Sequence, residues 1–469
     1  MIGLSVNVTG RESQGSWVND RSEARAYHFV IPGLVPGTNR GIGGGGPRHK
    51  ATAVRFIFLA YGHGVDSTRF DLFPDESNMR SANTVPHQNT IFRQVTGNLP
   101  WRRLDALIAE HRADRGVRSL STRDMLLTLL FAQLSGTRSL RDIQAVTDSH
   151  HARRYHASLC QVKRSTLSDA LASRPVGVFT GVLSILMARI GRKHRQELAA
   201  CVRLIDSTTI RLNRLSAPWS RFSADLCGVK AHVVYDPDAD HPLYLGITPA
   251  RINDITAAKA IPVEAGATYV FDLGYYDYGW WAKMDEAGCR IVTRLKANTP
   301  LHDVREHAVP PGLAHILSDR TGFLPERLAY SRNNPMRQAV REVRVTTETG
   351  KVLRVLTNDL DATAEEIAAL YKRRWAIELF FRWIKQMLKL THFQGTSENA
   401  VRIQITVAMI AFALIKLAHK EHGTTGTSLT RFARLVSANV MHRRSLLDIR
   451  GSGDAPASRY ANPAQMALL

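Results

Sequence analysis

Three acids stand out by their surroundings. Asp206 lies in RLIDSTT and Asp272 in VFDLGYYD, both at the ends of, or inside, apolar β-branched runs that read as strands. An aspartate inside an apolar strand is costly to bury unpaired, so it implies a partner or a metal. Glu378 is the one acid in YKRRWAIELFFRWIK, residues 371–385, while Lys372, Arg373, Arg374, Arg382, Lys385 and Lys389 surround it. Three carboxylates drawn together would repel one another unless a divalent cation neutralised them. Hard oxygen donors with open positions suit Mg²⁺. Two such ions about 4 Å apart activate a water or a 3′-hydroxyl and stabilise the leaving oxygen in phosphoryl transfer.

The segment around Glu378 has helical periodicity. At about 100° per residue, Arg374, Glu378 and Lys385 fall at about −60°, −20° and −40° from Tyr371, on one narrow face. Ile377, Phe381, Ile384 and Leu388 form a separate apolar stripe that must face a core. Taken alone, this helix equally allows Glu378 to pair with Arg374 or Arg382 at i±4.

The spacing Tyr371-x2-Arg374-x3-Glu378-x6-Lys385 resembles the YREK signature of DDE transposases of the insertion-sequence-four family. IDSTT around Asp206 and FDLGYYDY around Asp272 resemble that family's two aspartate blocks, and the likeness runs over roughly residues 90–420. The resemblance implies an α/β, RNase H-like mixed sheet with flanking helices and a mostly β insertion between Asp272 and Glu378. It also implies a helical N-terminal domain. Asp206, Asp272 and Glu378 would be the catalytic, metal-binding triad, holding two Mg²⁺ ions with Mn²⁺ as a substitute. Tyr371, Arg374 and Lys385 would contact DNA phosphates. The implied activity is binding of terminal inverted repeats in double-stranded DNA, metal-dependent cleavage and strand transfer by a homodimer or higher oligomer. The competing readings are a DNA-binding repressor that has lost catalysis and an RNase H-like nuclease that does not join strands.

Other polar residues have simpler explanations. Asp277 follows GYY, past the turn of the strand, and ranks below Asp272. Asp254 in RINDITAAKA stands where a helix starts, as an N-cap would. Asp225 and Asp236 sit in turn-rich stretches. Lys230 and His232, in GVKAHVVYD, read as flanking a core strand. Trp375 reads either as a platform for a displaced base or as a core residue.

The whole chain agrees with a polyanionic partner. Its 469 residues carry 62 Lys and Arg against 41 Asp and Glu, a formal charge of +21. The four cysteines, Cys160, Cys201, Cys227 and Cys289, have no metal-ligand spacing and read as free thiols in a reducing compartment, the cytoplasm. No HExxH or GxSxG motif is present. ITVAMIAFALI, residues 405–415, is too short to span a bilayer and reads as a core helix, and no secretion signal opens the chain.

The expected order is as follows. Residues 1–78, with GTNRGIGGGGPRHK and no sustained periodicity, read as a flexible or mis-annotated extension. Residues 79–198 form a helical, DNA-binding N-terminal domain, with capped helices at 121–134, 139–148 and 165–173 around the basic stretch HHARRYHASLCQVKR, a pattern that also fits a plain helical bundle with a solvated basic face. Residues 199–299 and 361–425 form the catalytic core, 300–360 a β-rich insertion, and 426–469 a C-terminal tail. The helix through Glu378 is expected to run unbroken from 362 to 390.

Overall fold

The computed structural model describes residues 27–30, 89–191, 201–326, 333–387, 393–422 and 427–450. Of the segment 1–78, Tyr27–Val30 forms strand β1; the rest, including the glycine run, lies outside the described residues.

The centre is a mixed sheet. Strands β2 (Val202–Leu212), β3 (Cys227–Asp236) and β4 (His241–Pro249) are antiparallel neighbours. On the other side of β2, β5 (Thr268–Phe271) and β6 (Arg290–Arg294) run parallel to it in turn. This arrangement is an RNase H-like core. Strands β7 (His302–His307), β8 (Ile316–Phe323), β9 (Val340–Thr346) and β10 (Val352–Thr357) do not form a separate sheet. They add to the edge of β6 through β10, giving the order β1-β4-β3-β2-β5-β6-β10-β9-β8-β7.

Alternation along each strand sends side chains to opposite faces. Leu204, Val233, Leu245, Val270 and Val343 face a large helical layer. Ile205, Val234, Tyr269, Phe271 and Leu356 face a smaller one, built on α10 (Tyr278–Glu286) with Trp280, Trp281 and Met284. Asp277 starts α10 by accepting the Trp280 N–H at 2.8 Å, and Gly288, at φ 71°, turns the chain into β6.

The large layer is organised on α13 (Glu398–Glu421), 24 residues long and almost wholly buried. It is long and apolar enough to cross a bilayer, but its sides are covered by protein: α3 (Thr122–Ser135), α6 (Arg164–Ser173) and α7 (Val176–Gly191) pack on it. Ser121 caps α3, accepting the Asp124 N–H at 3.0 Å, and Gly136 closes it at φ 72°. The N-terminal helices therefore share one continuous apolar core with α13 and the sheet.

Two expectations need correction. Part of the expected tail 426–469 is a packed helix: α14 (Leu429–Ala438) buries Phe432, Ala433 and Val436 against the helical layer, while 451–469 lie outside the described residues. The helix of 362–390 is two, α11 (Ala364–Arg373) and α12 (Trp375–Met387). They part at Arg374, where the backbone bonds shorten to i→i−3: Arg374 N–H to Tyr371 O at 3.1 Å and Ile377 N–H to Arg374 O at 3.2 Å. Such tight turns are common at helix ends. Leu388 and Lys389 lie outside the described residues.

Candidate active site

The sheet register brings two of the acids together. Ile205 pairs with Phe271 across the parallel strands β2 and β5, so Asp206 and Asp272, one residue further on each, leave the pairing side by side. Neighbouring strands lie about 4.8 Å apart. Here β2 hands on to β3 on one side and β5 to β6 on the other. The crevice at such a reversal, beyond the carboxyl ends of the strands, is a general location for ligand sites. Asp272 is held by its own turn, accepting the Gly274 N–H at 2.8 Å.

Helix α12 supplies the third acid. It lies against β2, with Ile377, Phe380, Phe381 and Ile384 buried. Phe380 packs on Tyr235 of β3 at 4.8 Å and on Phe412 of α13 at 5.3 Å. That packing fixes the rotation of the helix and leaves Glu378 at its edge, beside the sheet. The Arg374 guanidinium bridges two acids, bonding Glu378 at 2.5 Å and reaching Asp206 at 3.4 Å. The i,i+4 pairing that the helix allowed is thus present, as part of a larger cluster. Asp206 also accepts its neighbouring Ser207 N–H at 2.7 Å.

The acids carry more negative charge than Arg374 offsets. Asp206 is pushed up to about 7, first by burial and then by the nearby Asp272 and Glu378 carboxylates, against the Ser207 N–H and Arg374. Burial also raises Tyr371, with Asp272 adding to it and Arg374 and Arg294 opposing. Among the described residues no three Asp, Glu, His or Cys side chains close into a ready metal cage. The donor set nonetheless fits a hard divalent cation. It is all carboxylate, and its repulsion is what a cation would relieve.

The remaining signature residues differ in setting. Tyr371 is buried, with the Arg374 guanidinium 5.8 Å from its ring centre. Lys385 lies two turns beyond Glu378, beside Thr208 and Ile210 of β2, and burial lowers its pKa. Trp375 is 51% exposed, which removes the core reading, and Arg382 sits over its ring at 5.7 Å.

Asp254 is a correction. The cap position of its helix, α9 (Asp254–Ala258), belongs to Asn253, and Asp254 points elsewhere. It accepts the Ser207 hydroxyl at 2.7 Å and the Lys230 ammonium at 3.2 Å, with His232 Nδ1 at 3.8 Å. Lys230 and His232 therefore do more than flank a strand: they gather on an acid that holds the residue next to Asp206. The Tyr275 hydroxyl is buried beside these acids, within reach of the Ser207 side chain. Burial, then Asp206, Asp254 and Asp272, raise its pKa far above the ordinary value. Sequence reading missed this group because INDIT has the composition of a helix start. The available signal was the lysine in an apolar strand, which demands a partner. Asp277, the rival for the second position, is occupied in capping α10 and in a 2.7 Å pair with Lys259. Asp236 pairs with Arg203 and Asp225 with Arg214.

Residues 197–414 match the Transposase DDE domain, and residues 87–160 match a domain of unknown function, DUF4372. The chain belongs to the DDE transposase family. It is 42% identical to the transposase-named protein y4zB of Sinorhizobium fredii over 286 residues, 60% of this chain and 79% of that one. It is 27% identical to a Geobacillus stearothermophilus protein named as a transposase for insertion sequence element IS5377, over 68% of this chain and 82% of that one. The IS231E transposase of Bacillus thuringiensis subsp. finitimus is 21% identical over 45% of this chain and 55% of its own. The solved piggyBac transposase synaptic complex with hairpin DNA gives a TM-score of 0.41 at 10% identity, over 79% of this chain and 83% of that one, too distant to add weight.

Proposed function

We propose that Asp206, Asp272 and Glu378 are the catalytic triad of an insertion-sequence transposase that cuts and joins DNA at the element's terminal inverted repeats. The observation that carries this reading is the convergence of three acids from β2, β5 and α12 on one under-neutralised cluster. These three carboxylates would hold divalent cations, Mg²⁺ by donor type and two by the family's chemistry, with Mn²⁺ able to substitute. When bound, such a cation lowers the pKa of an attacking water or 3′-hydroxyl and stabilises the leaving oxygen.

The chain's own groups perform the rest. Asp254, through Ser207, holds the β2 backbone where Asp206 leaves it. Arg374 offsets the charge of Asp206 and Glu378 in the cation-free site and turns to DNA phosphate once cations replace it. Lys385, further along α12, meets the backbone of the same DNA strand, and Tyr371 supports Arg374 from beneath. In cleavage, water attacks a phosphodiester, its proton leaves to solvent, and the P–O3′ bond breaks, the departing 3′-oxygen taking a proton from solvent. In joining, the freed 3′-hydroxyl attacks a target phosphodiester, its proton leaves to solvent, and the displaced 3′-oxygen departs. No protein atom becomes bonded to DNA. The enzyme works in the cytoplasm, as a dimer or larger assembly on two DNA ends.

The test uses purified protein, Mg²⁺ and DNA carrying the native ends. Products in which an end is joined to a new strand are expected. Cutting without joining would make it a nuclease, and tight end binding with no cutting would make it a repressor.

A further inference from the structure

One cation beside the acid cluster is not engaged by its acids. Arg294 is the last residue of β6. Val292 pairs with Val270 of the parallel strand β5, so Arg294 stands level with Asp272, two residues further along each strand. Asp206, Asp272 and Arg294 thus form a row across the neighbouring strands β2, β5 and β6, spaced by about 4.8 Å per strand.

Alternation fixes where the Arg294 side chain goes. Val292 faces the large helical layer, while Ile291 and Leu295 face the smaller one. Arg294 shares the parity of Val292, so it leaves the sheet on the face where α11 packs on β6. Tyr371, Arg374 and Glu378 approach from that same face. Tyr371 feels both guanidiniums, since the charges of Arg374 and Arg294 oppose the rise that burial gives its phenol.

The two arginines differ in what they hold. Arg374 pairs with Glu378 at 2.5 Å and reaches Asp206 at 3.4 Å. Arg294 makes no ion pair among the described residues, and its Nε is buried without a hydrogen-bond partner among them. A buried guanidinium left unsatisfied is costly, so it calls for a reason. A ligand that brings its own anion supplies one.

We infer that Arg294 is a further catalytic residue, whose guanidinium bonds a non-bridging oxygen of the phosphate under attack from the Asp272 side of the cluster. The inference rests on the reading of Asp206, Asp272 and Glu378 as the triad. In-line displacement spreads negative charge over the non-bridging oxygens, and a fixed donor in a partly buried site stabilises it there. A guanidinium suits the place because it stays charged and offers parallel N–H groups to phosphate. Arg374 and Lys385 reach the DNA from the β2 side and Arg294 from the β6 side, so the reacting phosphate is held between them.

The test is cleavage and joining of DNA that carries the native ends, with a stereopure phosphorothioate at the cut phosphate. Mn²⁺ replaces Mg²⁺, because the softer ion accepts sulfur as a ligand. Wild-type protein is expected to favour one diastereomer by about tenfold or more, since sulfur displaces the oxygen that Arg294 bonds. Arg294→Gln should lose that preference and process all-oxygen DNA about 10²–10³-fold more slowly, with duplex binding nearly unchanged. A residue that only braced Asp272 would slow the reaction and leave the preference in place. Arg294→Lys, which keeps the charge and loses the fork, should fall between the two and serves if Arg294→Gln does not fold in thermal melting. Arg305→Gln, exposed on β7 four strands further along the sheet, removes the same charge and should change neither rate nor preference. Equal wild-type rates on both diastereomers, a preference that survives in Arg294→Gln, or an equal loss in Arg305→Gln overturns the assignment while Glu378→Gln stays inactive. A Glu378→Gln protein that cuts and joins normally overturns the triad reading instead.

Discussion

Two charge clusters on one sheet are built on opposite principles. In the insertion, Glu342 of β9 is fully buried, yet Arg354 bonds it at 2.7 Å, Arg344 at 3.1 Å and Arg320 at 3.1 Å. Burial alone would raise its pKa, but hydrogen bonds from Arg354 and Arg344, with the charges of Arg354 and Arg320, hold it below the ordinary value. Beside it, Arg341 and Asp319 pair at 2.6 Å. In the core, one guanidinium, Arg374, is shared between Asp206 and Glu378, Asp272 stands alongside, and Asp206 is driven up to about 7. The first cluster is closed, since each of these acids is met by a guanidinium and Glu342 by three. The second is open, since its acids lack the charge that would complete them. A structural ion network satisfies itself, while a catalytic one leaves room for a ligand to do so.

That contrast can be broken by mutation. On stability, the largest effect belongs to the closed cluster. Glu342→Ala strands three arginines around an empty buried site and is expected to cost about 3–5 kcal/mol in denaturant unfolding. Loss of less than about 1 kcal/mol would mean that the network is not closed. Glu378→Gln, in the open cluster, relieves repulsion as it removes a pair and should change stability little.

A third buried group tests whether burial alone sets such behaviour. His241, fully buried in β4, has its pKa lowered to about 4 by burial, with Asp236 opposing and Lys416 adding to the shift. A lowered pKa means that the unfolded chain binds the extra proton first. Stability is then complete above about 6.5 and falls as the pH drops toward 4, by about 3 kcal/mol. Melting of His241→Gln should show a flatter dependence across that window, and an unchanged dependence would remove His241 as its cause.

The smallest effect is the one specific to the open cluster. Mg²⁺ at tenfold over its dissociation constant should stabilise wild-type protein by about 1.4 kcal/mol. It should do nothing for Asp206→Asn or Glu378→Gln. Equal stabilisation of all three proteins would place cation binding elsewhere.

How much of this was legible in the sequence depends on whether a residue breaks its local pattern. Asp206 and Asp272 interrupt apolar strands, and Glu378 interrupts a basic helix, so each announces itself. The strands that carry the two aspartates, and the helix pattern with its apolar stripe, follow from periodicity that packing then enforces. Strand β7 has all six residues exposed and so lacks the alternation that identifies a strand. Asp254 satisfies the local pattern of a helix start, and only the fold reveals that Ser207 and Lys230 reach it. The break at Arg374 is a matter of one turn's hydrogen bonds, which periodicity cannot resolve.

The central claim is that the open cluster performs the chemistry. Its most direct test is a gel assay of end cleavage and strand transfer with Mg²⁺, comparing wild-type protein with Asp206→Asn and Glu378→Gln, alongside DNA binding by each. The account predicts loss of both products by about a thousandfold or more, roughly 4 kcal/mol of transition-state stabilisation, with DNA binding retained. A Glu378→Gln protein that cuts and joins at the wild-type rate would contradict it.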